Sequence, residues 1–314
     1  MPYDIAVLIS TFERPQNLER CIASIEAQRG VEGRFEVVVT DDGSRDHTLD
    51  LVRDIARKVD FPLRLTTHEH EGFRLAWCRN EGVAVSTAPY LLFTDGDCLL
   101  PANHLHIHLE ARCPRYVIGS NCARLDRATS ARVDRETIRG GTIASLIPPG
   151  EARKLRWKAM RAKLYEWGHI PMRPRLTGNN IALWKSDFER INGFDESFVG
   201  WGFEDRDLQC RLEKAGLRVR SILWRGPIGH LWHPPDASFV RNGVGTANRL
   251  LFESQDRPVF CVDGLVKAGA GSHGPGHPRT PLQPVEEGGM SRGCRGRDVA
   301  SSAPSMGKSQ SAVA

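Results

Sequence analysis

No stretch of the sequence approaches the roughly 18 consecutive apolar residues needed to cross a bilayer, so no membrane-spanning helix is expected. A secretion signal is not expected either, because Asp4 interrupts a first apolar run that is already too short. The cysteines Cys21, Cys78, Cys98, Cys113, Cys122, Cys210, Cys261 and Cys294 form no C-x-x-C pair. Without a secretion signal, that scatter favours reduced, mostly buried thiols over a disulfide framework. No G-x-G-x-x-G follows the first apolar run and no GxxxxGK[ST] loop occurs, which removes the usual signs of dinucleotide and P-loop chemistry. Charge of one sign is scarce: 43 basic residues face 38 acidic ones, a net +5. Only residues 152–163 are locally basic, with thin aromatic interleaving, so nucleic acid is not an expected partner.

What is present is alternation. "DIAVLIS" (4–10), "FEVVVT" (35–40), "LRLT" (63–66) and "YLLFT" (90–94) have strand length and strand composition. Between them, Leu18, Cys21, Ile22 and Ile25 recur at helical spacing. Leu49, Val52, Ile55 and Val59 do the same within 46–59, where Asp46 suits an N-cap, and 73–85 reads as a third helix. The expected fold is α/β, with a mostly parallel central sheet covered by helices on both faces. Such sheets bind ligands beyond the carboxyl ends of their strands. Thr11, Asp41, Asp42 and the turn Asp95-Gly96-Asp97 all fall at such ends.

Further along, 152–167 reads as a basic amphipathic helix that would line an acceptor channel or touch anionic lipid. Glycine and tryptophan concentrate between 176 and 235, and the chain after about 264 has too few large apolar residues to offset ordering entropy. The expected organisation is therefore 1–122, a basic helical insertion at 123–175, a second half of the same domain at 176–263, and a disordered tail at 264–314.

Two carboxylates around one glycine, as in Asp95-Gly96-Asp97, suit a hard divalent cation, and also suit a plain turn. Asp41 and Asp42 precede a Gly-Ser turn and are not explained as helix caps. Glu204 and Asp205 stand where a helix beginning before Leu208 and Leu212 would place them at its N-terminus, a position favourable to acids in any case. His104 and His108 share a helical face, but no carboxylate pattern completes a metal site, and a solvated helix is the expectation.

Taken together, "ISTFERP", "TDDGSRD", Arg79 to Gly82 and "DGD" resemble the family 2 nucleotide-sugar glycosyltransferases of the GT-A fold, over about Asp4 to Leu100. Residues 178–219, with "GWGFEDRDL" at Gly200–Leu208, resemble the galactosyltransferase-like half shared by β-1,4-galactosyltransferases, polypeptide N-acetylgalactosaminyltransferases and chondroitin-polymerase-like enzymes. The resemblance implies an inverting transferase that uses a UDP-sugar, Mn²⁺ (or Mg²⁺) and a glycan acceptor. It implies nucleotide-sugar contacts from Thr11, Glu13, Arg14, Asp41, Asp42, Arg74, Asn80, Asp95 and Gly96. Asp205 is the implied base and Glu204 its acceptor-binding neighbour, with Trp201 and Asn179 also on the acceptor side. Asp97 and His230 are the implied metal ligands, with His233 as the alternative to His230. A cytoplasmic protein, at most peripheral at the inner face of a membrane, fits these features. A divergent GT-A protein that binds nucleotide sugar without transferring it is the second reading.

Overall fold

The structure, a computed structural model, describes residues 3–240, 243–254 and 256–267. In chain order the strands are β1 (Ile5–Thr11), β2 (Phe35–Asp41), β3 (Leu63–Thr67), β4 (Tyr90–Asp95), β5 (Cys98–Leu99), β6 (Tyr116–Gly119), β7 (Cys122–Arg124), β8 (Ile181–Trp184), β9 (Arg218–Ser221) and β10 (Ile228–His230). The helices are α1 (Pro15–Glu26), α2 (Thr48–Ala56), α3 (Leu75–Val85), α4 (His104–Ala111), α5 (Arg127–Ala131), α6 (Arg135–Arg139), α7 (Pro149–Trp167), α8 (Lys185–Arg190), α9 (Glu204–Lys214) and α10 (Ala247–Ser254).

Seven strands form the main sheet in the order β3-β2-β1-β4-β8-β6-β9. β1 to β4 are mutually parallel, β8 runs antiparallel to both β4 and β6, and β9 is parallel to β6. Every residue of β1 and β2 is buried, as expected of strands covered on both faces. Side chains alternate along a strand, and the two faces have separate cores. Ile5, Val7, Ile9, Val37 and Val39 pack with Leu18, Ile22 and Ile25 of α1 and Val52 of α2. Ala6, Leu8 and Val38 pack on the other face with Ala76 and Val83 of α3 and Leu208 and Leu212 of α9.

The chain moves outward from β1 to β2 and β3, then returns to place β4 on the other side of β1. That reversal opens a crevice at the carboxyl ends of β1, β2 and β4. A second sheet, β5-β10-β7, lies beside it. Its strands have two or three residues, too few to carry a period in sequence. Antiparallel pairing of β10 with β5 sets His230 opposite Cys98, and Leu231 N–H donates to the Asp97 carbonyl oxygen at 2.8 Å. Backbone pairing thus delivers a remote histidine to the turn after β4.

Three expectations need correction. α4 is not a solvated helix: His104 and His108 are buried, and both rings lie within hydrogen-bond distance of the Asn180 amide, at 2.7 and 3.0 Å. Burial depresses both imidazoles, His108 to about 3, so they stay neutral and tie α4 to the turn before β8. Asp46 lies one residue before the helix-flanking His47, and its carboxylate accepts the Thr48 N–H at 2.9 Å. The expected tail boundary at 264 falls within bonded chain. Leu265 N–H donates to the Asn192 carbonyl, and the Asn192 side chain bonds both the N–H and the carbonyl of Val266. The remainder of the expected disordered segment, 268–314, lies outside the described residues, as does Cys294. The other seven cysteines are free thiols.

Candidate active site

The crevice has two walls. On the strand wall, Asp41 is turned into its own loop. Its carboxylate accepts the Gly43 and Ser44 N–H groups at 3.0 and 2.8 Å and the Thr67 hydroxyl at 2.8 Å. Gly43 has φ 79°, and a Cβ there would lie 2.4 Å from the His70 nitrogen, so both conformation and space demand glycine. Asp42 faces His68, whose Nε2 is 2.8 Å away, and accepts the Arg74 N–H at 3.1 Å. His68 packs on Trp77, and His70 stacks on Phe12 at 4.2 Å. Asp42, His68 and Cys78 bring their polar atoms close together. Burial, the main cause, and the Asp42 charge push the Cys78 thiol well up.

Glu13 and Arg14 follow β1. Glu13 has φ 44° and donates its N–H to Ser44 Oγ, while Arg14 Nη1 reaches Asp97 Oδ2 at 3.3 Å. Gly96 N–H donates to the Ser10 carbonyl, and a Cβ at Gly96 would press on Thr11 at 3.1 Å. The glycine of the DGD turn therefore lets that turn close onto the end of β1. Asn80 requires correction as a ligand contact. It is 1% exposed, and its amide is used by the Phe194 N–H and carbonyl and by Glu196, so it braces α3 against the opposite wall.

Asp97, His230 and His233 converge. The imidazole Nε2 atoms lie 3.4 and 3.0 Å from the Asp97 oxygens. Each ring sets its Nδ1 against a backbone carbonyl, Leu231 at 2.9 Å and Pro234 at 2.6 Å, contacts that only an N–H satisfies. With Nδ1 on a backbone carbonyl, each ring turns Nε2 toward Asp97, the nitrogen that an imidazole would offer to a metal ion. Burial would raise the Asp97 carboxyl, but His230, His233 and Arg14 outweigh it and hold it at about 2. His233 is raised, first by its hydrogen bond to Asp97. One carboxylate and two imidazoles fit Mn²⁺ or a similar divalent ion. Both histidines, not one of them, meet Asp97.

The opposite wall is the loop "GWGF" leading into α9. Gly200, Gly202 and Phe203 have φ of 86°, 91° and 77°, and Phe203 pays steric strain that the surroundings must hold. Asn248 of α10 donates to the Gly200 and Gly202 carbonyls at 3.2 and 2.9 Å, Ser238 Oγ accepts the Trp201 N–H, and Gly200 N–H donates to the Phe73 carbonyl. Trp201 is 38% exposed and meets Phe239 edge-on at 4.6 Å. A cavity of about 390 Å³ runs between this loop and Phe12, His70 and Phe73. Asn179 bonds Thr177 and Cys122.

Arg79 joins the walls and is the main residue that sequence reasoning passed over. It is fully buried, with Nη2 3.2 Å from Asp95 and Nη1 3.2 Å from Glu204, 125 residues away. A Cβ at Gly178 would lie 2.3 Å from its guanidinium, so the glycine of "GNN" makes room for the arginine. Burial and the Asp205 charge raise Glu204 to about 7 despite Arg79. Asp205 is raised too, by burial first, with Arg79 opposing. Thr11 Oγ1, Arg74 Nε and Glu204 Oε2 are buried with no partner among the described residues. Unmet polar atoms around one crevice are expected where a polar ligand completes them.

Residues 6–160 match the glycosyl transferase family 2 model, and residues 158–233 match the N-terminal domain of galactosyltransferase. Validoxylamine A glucosyltransferase of Streptomyces hygroscopicus subsp. limoneus is 30% identical over 228 residues, 68% of this chain and 48% of that protein. The chain thus spans about half the length of the curated relatives it matches first. Among solved structures, S. aureus TarS in complex with UDP aligns with TM-score 0.53 at 15% identity, over 74% of this chain and 61% of that one. Mannosyltransferase PcManGT from Pyrobaculum calidifontis, in complex with GDP-Man and Mn2+, aligns with TM-score 0.50 at 20% identity, over 76% and 61%. These likenesses agree with the GT-A fold expected from the strand-end pattern. Over residues 6–160 the chain belongs to glycosyl transferase family 2, continued over 158–233 by a segment of the galactosyltransferase type.

Proposed function

We propose that the protein is a metal-dependent inverting glycosyltransferase that moves a sugar from a UDP-sugar to a glycan acceptor, in the cytoplasm where such donors are held. The observation that carries this reading is the cluster of Asp97, His230 and His233 at a turn whose Asp95 is joined through Arg79 to Glu204, the neighbour of Asp205. A nucleotide-sugar-bound structural neighbour with Mn2+ supports the cofactor.

In this reading Asp42, with His68 and the Arg74 backbone, meets the nucleoside end, and the unpartnered Thr11 hydroxyl lies beside it. Asp97, His230 and His233 would hold the divalent ion, which when bound offsets the charge of the departing diphosphate. Arg14, now on Asp97, is placed to add its charge to that group. Across the crevice, Trp201 offers a flat apolar face to a sugar ring, and Glu204 accepts hydrogen bonds from acceptor hydroxyls. Asp205 takes the proton of the attacking hydroxyl as its oxygen bonds the anomeric carbon and the bond to diphosphate breaks on the opposite side. Arg79 positions this wall by holding Glu204 against Asp95.

The test is UDP release across a panel of UDP-sugars, with and without Mn²⁺ and acceptor mixtures. Acceptor-stimulated, Mn²⁺-dependent release that Asp97→Ala abolishes is the expected result. Donor binding without any release under all acceptors would instead favour the non-transferring reading, and unchanged Mn²⁺-dependent donor affinity in Asp97→Ala would remove the metal assignment.

A further inference from the structure

Helix α7 packs on the protein through one narrow side. Leu155 and the partly buried Ala159 pack with Ala123 and Leu223 there, and Ala162 is buried on the same side. At the helical repeat of 3.6 residues per turn, Trp157, Met160, Leu164 and Trp167 fall within a sector of about 80° on the opposite side. They are 60%, 48%, 58% and 85% exposed. An amphipathic helix ordinarily turns its polar side to water, so a contiguous apolar stripe facing outward marks a contact surface.

The charges around the stripe are one-sided. Arg153 lies within it, Arg156 and Lys163 flank one edge, and Lys154 and Arg161 flank the other. Both acids of α7 are turned away: Glu166 accepts the Ser221 N–H and Glu151 pairs with Lys154. Trp224, 61% exposed, widens the patch beside Lys163, whose Nζ sits 4.7 Å from the ring centroid. The surface is a convex helix with no convergent polar groups, unlike the concave sites that hold small molecules. Tryptophan and leucine on one face with lysine and arginine along its edges is the pattern of a helix lying in the plane of a bilayer interface. There the rings enter the headgroup boundary and the cations reach lipid phosphates.

We propose that α7 docks the protein on an anionic lipid surface through Trp157, Met160, Leu164 and Trp167. Full-length protein is sedimented with vesicles of phosphatidylcholine alone and of phosphatidylcholine mixed with phosphatidylglycerol. Binding to the anionic vesicles, weakened by added salt, is the expected result. The Trp157→Ser/Leu164→Ser/Trp167→Ser variant, with an unchanged melting temperature, binds at least about tenfold more weakly because the apolar anchors are gone. Arg153→Gln/Arg156→Gln/Lys163→Gln weakens binding to anionic vesicles and lessens its salt dependence. Wild-type protein that ignores both vesicle types overturns the proposal, as does a triple serine variant that binds like wild type. A wild-type dimer that the serine variant splits, without vesicle binding, assigns the stripe to a contact between copies and overturns it too. None of these readings depends on transferase activity.

Discussion

The strand wall of the crevice, residues 5–95, is positioned by parallel backbone pairing, whereas the facing wall, residues 193–267, is positioned by side chains that grip distant backbone. On the first wall, Thr11, Asp41 and Asp95 stand where three adjacent strands end, and the apolar cores on both faces of the sheet fix those ends. On the second, a loop with left-handed backbone at Gly200, Gly202 and Phe203 is held by Asn248, Ser238 and Phe73, and buried ion pairs join Asp207 to Arg211 and Asp195 to Arg257. Sheets set geometry through many equivalent bonds. The loop wall depends on a few polar contacts, each of which a single substitution removes.

The difference is open to attack at Arg79, a cation shared by both walls. Arg79→Met leaves the buried Glu204 and the half-buried Asp95 without their partner. We expect a stability loss of about 3–5 kcal/mol, as for a broken buried ion pair, read by urea unfolding. Adding Glu204→Gln should recover part of it. A loss within a few tenths of a kcal/mol would mean that the walls are joined elsewhere. A smaller effect is expected from the chain end. Removing everything after Lys267 should leave the melting temperature unchanged, whereas removing everything after Gly264 strips the Asn192 contacts and should cost about 1–3 kcal/mol. Equal melting temperatures for the two truncations would contradict the Asn192 tie.

Asn248→Ala sharpens the comparison further. It frees two carbonyls of the strained loop, and a loss of about 1–2 kcal/mol is expected from two hydrogen bonds. Acceptor KM should rise more than donor Kd, and the reverse pattern would place the loop on the donor side. A further expected effect is in pH. Folding raises Glu204 to about 7 from its ordinary 4.5. The folded chain therefore holds that proton more tightly, a stabilisation present below the ordinary value and lost as pH rises through about 7. Thermal melts across that interval should show a flatter pH dependence in Glu204→Gln than in wild type. Parallel curves would show that Glu204 does not titrate in this window.

The same contrast explains what was legible in the sequence. The four parallel strands were expected at 4–10, 35–40, 63–66 and 90–94 and stand at Ile5–Thr11, Phe35–Asp41, Leu63–Thr67 and Tyr90–Asp95, because unbroken apolar runs have few other places to go. The short strands of the second sheet carried no period, so the route by which His230 reaches Asp97 was invisible although the residue itself was named. Arg79 and Asn80 sit side by side in sequence, yet one spans the crevice and the other is sealed beneath it, a difference set by contacts with residues 194–204. His104 and His108 looked like a polar face because nothing local announces Asn180. Asn248 has no motif around it. Its role exists only because the loop it holds has left-handed backbone.

The central claim is that Asp205, raised by burial at the start of α9, is the base of a transfer reaction. The most direct measurement compares single-turnover transfer and donor binding in wild type and Asp205→Asn. The account predicts donor and Mn²⁺ affinities like those of wild type, with transfer slower by about 10²–10⁴-fold, the usual contribution of a positioned general base. The residual rate should also lose the acid limb that a raised carboxylate imposes as pH falls. Transfer by Asp205→Asn at near the wild-type rate would contradict the account and leave Asp205 as a charge at a helix end.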